Sequence, residues 1–398
     1  MTEVPGLGPG TTPAEVLDIV RAMLRELGTG EHEIAAAEAD GTLPLLAVER
    51  LIVPEPLLFD LDHVTARTRL SADQIRHLWR SLGFAMPRPG ERAFTAGDVE
   101  ILTEVGALVA GDVAPADLVQ QMSRVIGSSV ARIASAQVDV ISAATLGRPG
   151  VGEPDAAPVV DALAVDRVVA SAATLLPIVP RVLTAAWRRH LQVAARRRLT
   201  YAGAEQVAVV GFADLVGFTA LSQEVGDAEL AAIVDQFEQL TFDIVTEAGG
   251  RVVKMIGDEV MFTVEAPEAG AEIALALAEG TRDADELSDL RVGLAHGPLL
   301  EREGDLYGPV VNLASRMTAI AFPGTILVDA PMRDRLVQLG DYRLRSMRPR
   351  HLKDIGRVPL WVLRRAASAE SRFAERRRGL RDALRARAEH HDPPSTGR

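Results

Sequence analysis

A buried-strand pattern that ends in a carboxylate constrains this chain more than any other feature. Residues 207–213 form an unbroken run of apolar and small side chains, Asp214 follows directly, and Gly217 supplies a turn. A short continuous apolar run bounded by a turn signal indicates a strand buried on both faces. Taken alone, Asp214 could equally cap a helix beginning near Thr219. The pattern predicts a central strand with a carboxylate at its end.

A second carboxylate lies in a predicted hairpin further along the chain. Residues 252–264 form two apolar arms joined through Gly257, Asp258 and Glu259. Asp258 by itself could be an ordinary turn former, because Gly and Asp are favoured in tight turns. Two carboxylates at strand ends could also share two hard cations, since Mg²⁺ prefers a few carboxylates plus substrate phosphate oxygens. In two-metal sites the ions stabilise the attacking and the leaving oxygen together.

Asn312 and Arg316 add a pair of polar side chains at helical spacing. They lie in Val310-Val-Asn-Leu-Ala-Ser-Arg-Met317, where an i, i+4 separation would place both on one face of a helix. An arginine there could stabilise charge on a transferring phosphoryl group, and an asparagine could orient a sugar. In isolation, a surface arginine with an asparagine near a helix start is the simpler interpretation.

These segments, together with Arg291-Val-Gly-Leu-Ala-His-Gly297 and Asp305-Leu-Tyr-Gly308, resemble the catalytic domain of class III nucleotidyl cyclases. Members of that family make cyclic AMP or cyclic GMP from a nucleoside triphosphate. The resemblance covers residues 203–365 and implies an α+β, ferredoxin-like catalytic domain with two Mg²⁺ or Mn²⁺ ions per active site. At matching positions it assigns metal binding to Asp214 and Asp258, transition-state roles to Asn312 and Arg316, triphosphate contact to Arg291, and base recognition to Lys254 and Asp305.

The choice of base follows from hydrogen-bond polarity at the positions of Lys254 and Asp305. Adenine offers an acceptor at N1 and a donor at its 6-amino group, and guanine reverses both. A lysine donor with an aspartate acceptor therefore fits adenine. A guanylyl cyclase would be expected to carry a glutamate and a small polar residue there. The expected substrate is ATP, and the expected products are 3′,5′-cyclic AMP and pyrophosphate.

One position departs from the family pattern. Many cyclases have a further lysine near the C-terminal end of the domain that binds the triphosphate, and Ile355 takes its place here. Lys353 lies two residues earlier. Either Lys353 supplies this contact or the chain holds the phosphates less tightly.

The family builds each active site between two catalytic domains, one giving the metal ligands and the other the base and transition-state residues. This chain has one such domain with both sets, so the resemblance implies a homodimer with two equivalent sites. A monomer should be inactive, and a small rotation between subunits would separate the half-sites. The main alternative is a catalytically silent cyclase-like domain that senses nucleotides.

The sequence pattern of residues 1–200 predicts an all-helical domain that ends in a connecting helix over residues 180–200. Capping patterns at Thr12, Ser71 and Thr95 precede apolar residues at helical spacing. A long helix is expected from Pro115 to Leu146, and the Gly- and Pro-rich residues 147–158 predict a loop. Helical spacing resumes near Val159, with a kink expected at Pro177 and Pro180.

This helical half resembles the regulatory domain of soluble actinobacterial, pH-responsive adenylyl cyclases. His190 in the connecting helix is a candidate pH switch, because histidine titrates near neutral pH. The Ala- and Val-rich helices could also take a small apolar ligand. A second alternative function is DNA binding, since residues 63–105 contain two short helices like a helix-turn-helix. Many acidic residues near its arginines disfavour that alternative.

Composition excludes several other classes of protein. The net charge of −12 argues against general nucleic-acid binding, which needs clustered Lys and Arg. The absence of cysteine excludes disulfides, thiolate nucleophiles and Cys-bound zinc. Prolines and Arg181 interrupt the most apolar stretch, Val168 to Trp187, which disfavours a membrane span. We expect a cytoplasmic protein whose residues 366–398 form a charged, partly disordered tail.

Overall fold

A computed structural model of the chain describes residues 13–146, 176–200, 206–284 and 287–366. The chain divides into two compact units, Met1–Leu199 and Thr200–Arg398. Several predicted features lie outside the described residues. These are Thr12 of the first capping pattern, the loop over 147–158, the resumed helix before residue 176, and the tail after residue 366.

In the described part of the N-terminal unit the regular elements are helices, as predicted. Its helices are α1 (Pro13–Glu26), α2 (Glu31–Ala39), α3 (Leu43–Ile52), α4 (Leu61–Arg67), α5 (Ala72–Ser81), α6 (Ala96–Ala110), α7 (Ala116–Leu146) and α8 (Val179–Thr200). An isolated β-bridge joins Phe59 to Phe94. In the described ranges, no helix is both long enough and apolar enough to cross a membrane.

Capping boxes fix the starts of α5 and α6, as the sequence predicted. The Ser71 hydroxyl accepts a hydrogen bond from the Gln74 N–H, and the Gln74 side chain accepts one from the Ser71 N–H. Thr95 and Asp98 repeat the arrangement. Residues 82–95 connect the two helices, whereas a helix-turn-helix has a turn of three or four residues. The connection therefore does not favour the DNA-binding alternative.

The connecting helix covers the residues expected for it, 180–200. The chain forms a turn over residues 176–178, and α8 starts at Val179. Pro177 lies in that turn and Pro180 in the first turn of α8, where a proline ring costs no internal hydrogen bond. The helix expected before residue 176 lies outside the described residues, so the kink stays a prediction.

The C-terminal unit combines a large mixed sheet with helices. Its strands are β1 (Val207–Leu215), β2 (Arg251–Ile256), β3 (Glu259–Val264), β4 (Leu290–Pro298), β5 (Leu300–Arg302), β6 (Asp305–Tyr307), β7 (Ile326–Val328), β8 (Tyr342–Ser346), β9 (Arg350–Leu352), β10 (Gly356–Val358) and β11 (Trp361–Arg365). Its helices are α9 (Phe218–Glu224), α10 (Asp227–Glu247), α11 (Pro267–Asp283), α12 (Pro309–Ile320) and α13 (Ala330–Leu336).

Seven of these strands form one sheet in the order β2-β3-β1-β4-β7-β11-β8. The first four are antiparallel, and α10 and α11 connect them in a β-α-β-β-α-β sequence. This is the ferredoxin-like arrangement, so the predicted fold of the catalytic region is confirmed. Strands β5 and β6 pair only with each other, as do β9 and β10.

Strand β1 lies inside the sheet and is buried on both faces. Val209 and Ala213 belong to a core with α10 and α11, whereas Val210 and Phe212 belong to a second core with α12. The Thr318 hydroxyl on α12 donates to the Phe212 carbonyl at 3.1 Å and ties this helix to β1. Because side chains alternate along a strand, Asp214 belongs to the α12 face.

Candidate active site

Three charged side chains meet across the ends of the central strands. The strand register pairs Asp214 on β1 with Glu259 on β3 and with Arg291 on β4. The Arg291 Nε donates to Asp214 Oδ2 at 2.5 Å, and its Nη2 contacts the same oxygen. Asp214 is only 8% exposed. The Asp214 carboxylate is therefore almost fully buried and forms an ion pair with Arg291.

Asp258 lies in the tight turn between β2 and β3, beside Asp214. Its carbonyl accepts a hydrogen bond from the Leu215 N–H at 3.2 Å, which ties this turn to the end of β1. Burial raises the pKa of the Asp258 carboxyl, and the neighbouring Asp214 carboxylate raises it further, while Arg291 opposes the rise. The structure thus brings together the two carboxylates on which the sequence interpretation rested.

Glu259 is a third acidic group here, and the sequence interpretation treated it only as a turn residue. Burial, together with the charges of Asp214 and Asp258, raises the pKa of the Glu259 carboxyl to about 7. A signal for it was available in the hairpin pattern. Glu259 and Met261 share one face of β3 by alternation, and that face is the one that carries Asp214.

This donor set fits a divalent cation. Asp214 and Asp258 offer hard oxygen ligands, and the three carboxyl groups outnumber the single arginine beside them, so a cation would reduce their mutual repulsion. Among the described residues, no group of three or more His, Asp or Glu side chains is arranged to enclose a metal ion. Two carboxylates completed by phosphate oxygens match the preference of Mg²⁺ for a shared, substrate-dependent site.

Lys254 and Asp305 meet on the α12 face of the sheet. The Lys254 Nζ donates to Asp305 Oδ2 at 2.6 Å. A β-bulge at Val253 makes this contact possible. It shifts the register between β2 and β3, so that Lys254 lies opposite Met261, which belongs to the second core. Without the extra residue, Lys254 would point to the opposite face. The two residues predicted to recognise the base are therefore direct neighbours.

Asp305 is held in its ionised form. Partial burial would raise the pKa of its carboxyl, but the hydrogen bonds from Lys254 and from the Leu306 N–H, with the charge of Arg251, bring the pKa below its ordinary value. The Leu306 N–H lies 2.9 Å from Asp305 Oδ1. Asp305 is thus a fixed hydrogen-bond acceptor, as recognition of an amino group requires.

Asn312 and Arg316 both lie on α12, as their spacing predicted. Arg316 is about half exposed, and its Nη2 lies 4.0 Å from Asp354 Oδ2 in the turn between β9 and β10. Asn312 lines a cavity of about 560 Å³ that Asp354 and Ile355 also line. The two polar side chains of α12 therefore face the same turn.

Lys353 is exposed in that turn. The following residue, Asp354, has a φ of 65° and directs its carboxylate at Arg316, while Ile355 reaches the cavity. The turn therefore places an acidic side chain beside the arginine of α12. Replacement of the family's triphosphate lysine by Lys353 stays a prediction.

Comparison with known proteins gives an independent line of evidence. Residues 200–364 match the family described as the adenylate and guanylate cyclase catalytic domain. The chain is 33% identical over 323 residues to an adenylate cyclase of Streptomyces coelicolor, covering 79% of this chain and 81% of that protein. It is 29% identical over 343 residues to an adenylate cyclase of Glutamicibacter nicotianae, covering 81% and 82% of the two chains.

A shorter similarity extends to a pH-sensitive relative. The chain is 36% identical over 170 residues to a pH-sensitive adenylate cyclase of Mycobacterium tuberculosis, which covers 42% of each chain. The first two relatives match about twice as much of this chain. The similarity to them therefore includes much of the N-terminal helical region as well as the sheet.

Proposed function

This chain belongs to the class III adenylate cyclases, related to those of actinobacteria, and from that premise we propose that it converts ATP to 3′,5′-cyclic AMP and pyrophosphate. Residues 203–365 are the catalytic domain, and residues 1–200 are a regulatory domain that ends in the connecting helix α8. The activity named for the relatives supports the reaction class, and the side chains of the site support the choice of ATP.

One observation carries the proposal: a single face of the sheet holds both the strand-end carboxylates and the pair that matches adenine. Lys254 lies opposite Met261 on β3, and Met261 shares its face with Glu259, the cross-strand neighbour of Asp214. The shared face supports a proposal in which the residues for metal binding and for base recognition lie on the surface beside α12. A fold without this chemistry would not require such polar groups on one face.

Asp214 and Asp258 would hold two Mg²⁺ or Mn²⁺ ions per active site in this proposal. When bound, such ions supply Lewis-acid activation of the ribose 3′-hydroxyl and neutralise charge on the pyrophosphate. Arg291 positions Asp214 through their ion pair and is near enough to the carboxylates to contact a triphosphate. Its guanidinium matches phosphate oxygens in geometry and charge.

The remaining groups read the nucleoside and stabilise the reacting phosphate. Lys254 donates to adenine N1, and Asp305 accepts from the 6-amino group. Asn312 orients the ribose, and Arg316 stabilises the negative charge that develops on the α-phosphate. For Arg316 to do so it must leave Asp354, which costs little because the pair is long and largely exposed.

The active enzyme is a homodimer in this proposal. One chain carries both the metal-binding set and the base and transition-state set, so a two-fold axis creates two equivalent sites from complementary halves. This requirement gives the N-terminal domain a route to control, because a small rotation between subunits separates the halves. His190 is exposed on α8, and an unchanged pH–activity profile in His190→Ala would remove it as the switch.

The test is cyclic AMP formation by the full-length protein from ATP with Mg²⁺ or Mn²⁺. Wild-type protein should form product, and Asp214→Asn and Asp258→Asn should lose at least about a hundredfold, as for other groups that stabilise developing charge. Asp235→Asn is the control, because Asp235 is an exposed residue on α10. If wild-type protein binds ATP and forms no product, the catalytically silent nucleotide sensor replaces this proposal.

A further inference from the structure

The hairpin that carries Asp305 is not part of the large sheet. Strands β5 and β6 pair only with each other, and a two-residue turn joins them, with Glu303 at φ 57° and Gly304 at φ 82°. Both values are left-handed, as in the tight turns that join antiparallel strands. An isolated two-stranded hairpin is marginally stable in water. The position of Asp305 therefore depends on the contacts that attach this hairpin to the sheet.

Arg251 on β2 makes two of those contacts. Its Nη2 donates to Glu301 Oε1 at 2.9 Å, and its Nη1 donates to the Gly304 carbonyl at 3.1 Å. The first partner lies on β5, and the second lies in the turn just before Asp305. The planar guanidinium fixes the relative direction of its donors. Arg251 therefore fixes both β5 and the turn of the hairpin relative to β2.

The bulge at Val253 puts Arg251 and Lys254 on the same face. Arg251 lies opposite Thr263 and Lys254 opposite Met261, and these two partners share a face because they are two residues apart on β3. In a regular strand, residues three apart would point to opposite faces. The two basic side chains reach the hairpin side by side as a result, Arg251 at its tip and Lys254 at Asp305.

We propose that Arg251 is a positioning residue for purine selection, a role that rests on the proposed cyclase activity. In the free protein Lys254 bonds to Asp305. To recognise adenine, Lys254 must turn its N–H to N1 and Asp305 must accept from the 6-amino group. The hairpin then loses its hydrogen bond from Lys254. The contacts of Arg251 with Glu301 and Gly304 keep Asp305 in position to accept from the 6-amino group of adenine.

Loss of Arg251 should weaken recognition of the base more than the chemical step. In Arg251→Ala we expect the KM for ATP to rise about tenfold and the preference for ATP over inosine triphosphate to fall about tenfold, because selectivity depends on a well-placed polar group. We expect kcat to stay within about threefold, since Arg251 bonds to Glu301 and Gly304 of the hairpin and not to the carboxylates of the proposed metal site.

Inosine triphosphate is the matched probe. It differs from ATP at the two atoms that Lys254 and Asp305 read, with an oxo group at C6 and an N–H at N1. Steady-state KM and kcat are measured with both nucleotides for full-length wild type, Arg251→Ala, Arg251→Lys, Glu301→Gln and Arg345→Ala. Arg345 is an exposed arginine on β8, the opposite edge strand of the sheet, so Arg345→Ala should behave as wild type.

Unchanged KM and unchanged nucleotide preference in Arg251→Ala would overturn this role, and so would an equal fall in kcat for both nucleotides with preference intact. If Arg251→Ala does not fold, Arg251→Lys and Glu301→Gln decide. Lysine cannot span both acceptors, so both variants should lose part of the preference, and retention of full preference by both overturns the role. Absence of product from wild type is a different result, which refutes the proposed reaction itself.

Discussion

Gly293 on β4 and Ala314 on α12 approach so closely that a Cβ on Gly293 would lie 2.4 Å from the Ala314 carbonyl oxygen. The amide nitrogen of Thr318 would lie 2.7 Å from the same carbon. Real Cβ atoms do not come this close to backbone atoms, so α12 rests directly on β4. This contact determines where Asn312 and Arg316 lie relative to the strand-end carboxylates.

Substitution Gly293→Ala should therefore damage both stability and activity. The added methyl group must push α12 from the sheet, which costs about 1–3 kcal/mol of unfolding free energy as overpacking. Cyclic AMP formation should fall at least about tenfold, because misplacing a catalytic group by a fraction of an ångström reduces rate steeply. Urea denaturation and a product assay measure the two effects.

Gly297→Ala is the control for that variant. Gly297 lies on the same strand, but its nearest atoms to an added Cβ are side-chain carbons of Val310 at 3.7 Å, an ordinary contact. We expect Gly297→Ala to fold and act as wild type within about twofold. Equal behaviour of the two alanine variants would contradict the close approach of α12.

Arg365 at the end of β11 should be a major contributor to the stability of the catalytic unit. Its Nη1 donates to Glu272 at 2.7 Å and its Nε to Glu279 at 2.8 Å, both on α11. The Tyr342 hydroxyl donates to the same Glu272 at 2.7 Å. The Arg365 side chain is only 9% exposed. Arg365→Ala would leave partly buried carboxylates without this partner, at a cost of about 3 kcal/mol.

The adjacent residue supplies the comparison. Arg364 is exposed, so Arg364→Ala should change the unfolding free energy by no more than about 0.5 kcal/mol. Urea denaturation of both variants measures the difference. A small effect of Arg365→Ala, equal to that of Arg364→Ala, would show that α11 is held by its apolar face alone.

Local patterns were sufficient to predict the strands that carry the site. The run before Asp214 and the hairpin around Asp258 formed as predicted, because a continuous apolar run and a Gly-Asp turn each have a local physical cause. The helix of Asn312 and Arg316 follows from its apolar spacing in the same way. The pairing of Lys254 with Asp305 was predicted only from the family resemblance, because no residue near Lys254 in the sequence indicates a β-bulge.

Features that depend on tertiary contacts were missed. Helix α2 has the sequence Glu31-His-Glu-Ile-Ala-Ala-Ala-Glu-Ala39, in which Ile34 is the single large apolar side chain. Short helices are marginal without tertiary packing, and α2 is stabilised by burial of Ile34 and Ala37 against α1 and α3. The face on which Glu259 lies could be read from the hairpin pattern, but its raised pKa depends on burial and on the charge of Asp214 on a neighbouring strand, which local sequence does not show.

Asp329 should make the stability of the catalytic unit depend on pH. Burial raises the pKa of its carboxyl from 3.8 to about 6. The carboxylate accepts hydrogen bonds from the N–H groups of Met332 and His296, which oppose this rise. The folded protein then binds this proton more tightly than the unfolded chain. The contribution of Asp329 to the unfolding free energy therefore falls as pH rises through the interval between those two values.

Asp329→Asn removes the titration and keeps one acceptor oxygen for the helix cap. We expect the unfolding free energy of wild type, relative to this variant, to decrease by about 2 kcal/mol between about pH 4 and about pH 7.5. Urea denaturation across that range measures the difference. Asp235→Asn, at an exposed residue of α10, should give a curve parallel to wild type, and a parallel curve for Asp329→Asn would exclude the effect.

The homodimer can be tested by mixing two inactive proteins. Asp214→Ala removes a proposed metal ligand, and Arg316→Ala removes the proposed transition-state arginine, so each variant alone should be inactive. If each site takes its metal ligands from one subunit and its arginine from the other, a mixed dimer has one intact site and one doubly damaged site. At equal concentrations half of the dimers should be mixed, which restores about a quarter of wild-type cyclic AMP formation.

The decisive comparison is a mixture of Asp214→Ala with Asp258→Ala. Both substitutions damage the same half-site, so every site in every dimer lacks a metal ligand, and no activity should return at any ratio of the two proteins. Recovery with Arg316→Ala but not with Asp258→Ala would place the arginine and the carboxylates on opposite subunits of each site. The two variants carry different affinity tags, so that purification through one tag reveals subunit exchange. If exchange occurs and neither mixture recovers activity, then each chain builds its site alone, and the proposed control by rotation between subunits is refuted together with the shared site.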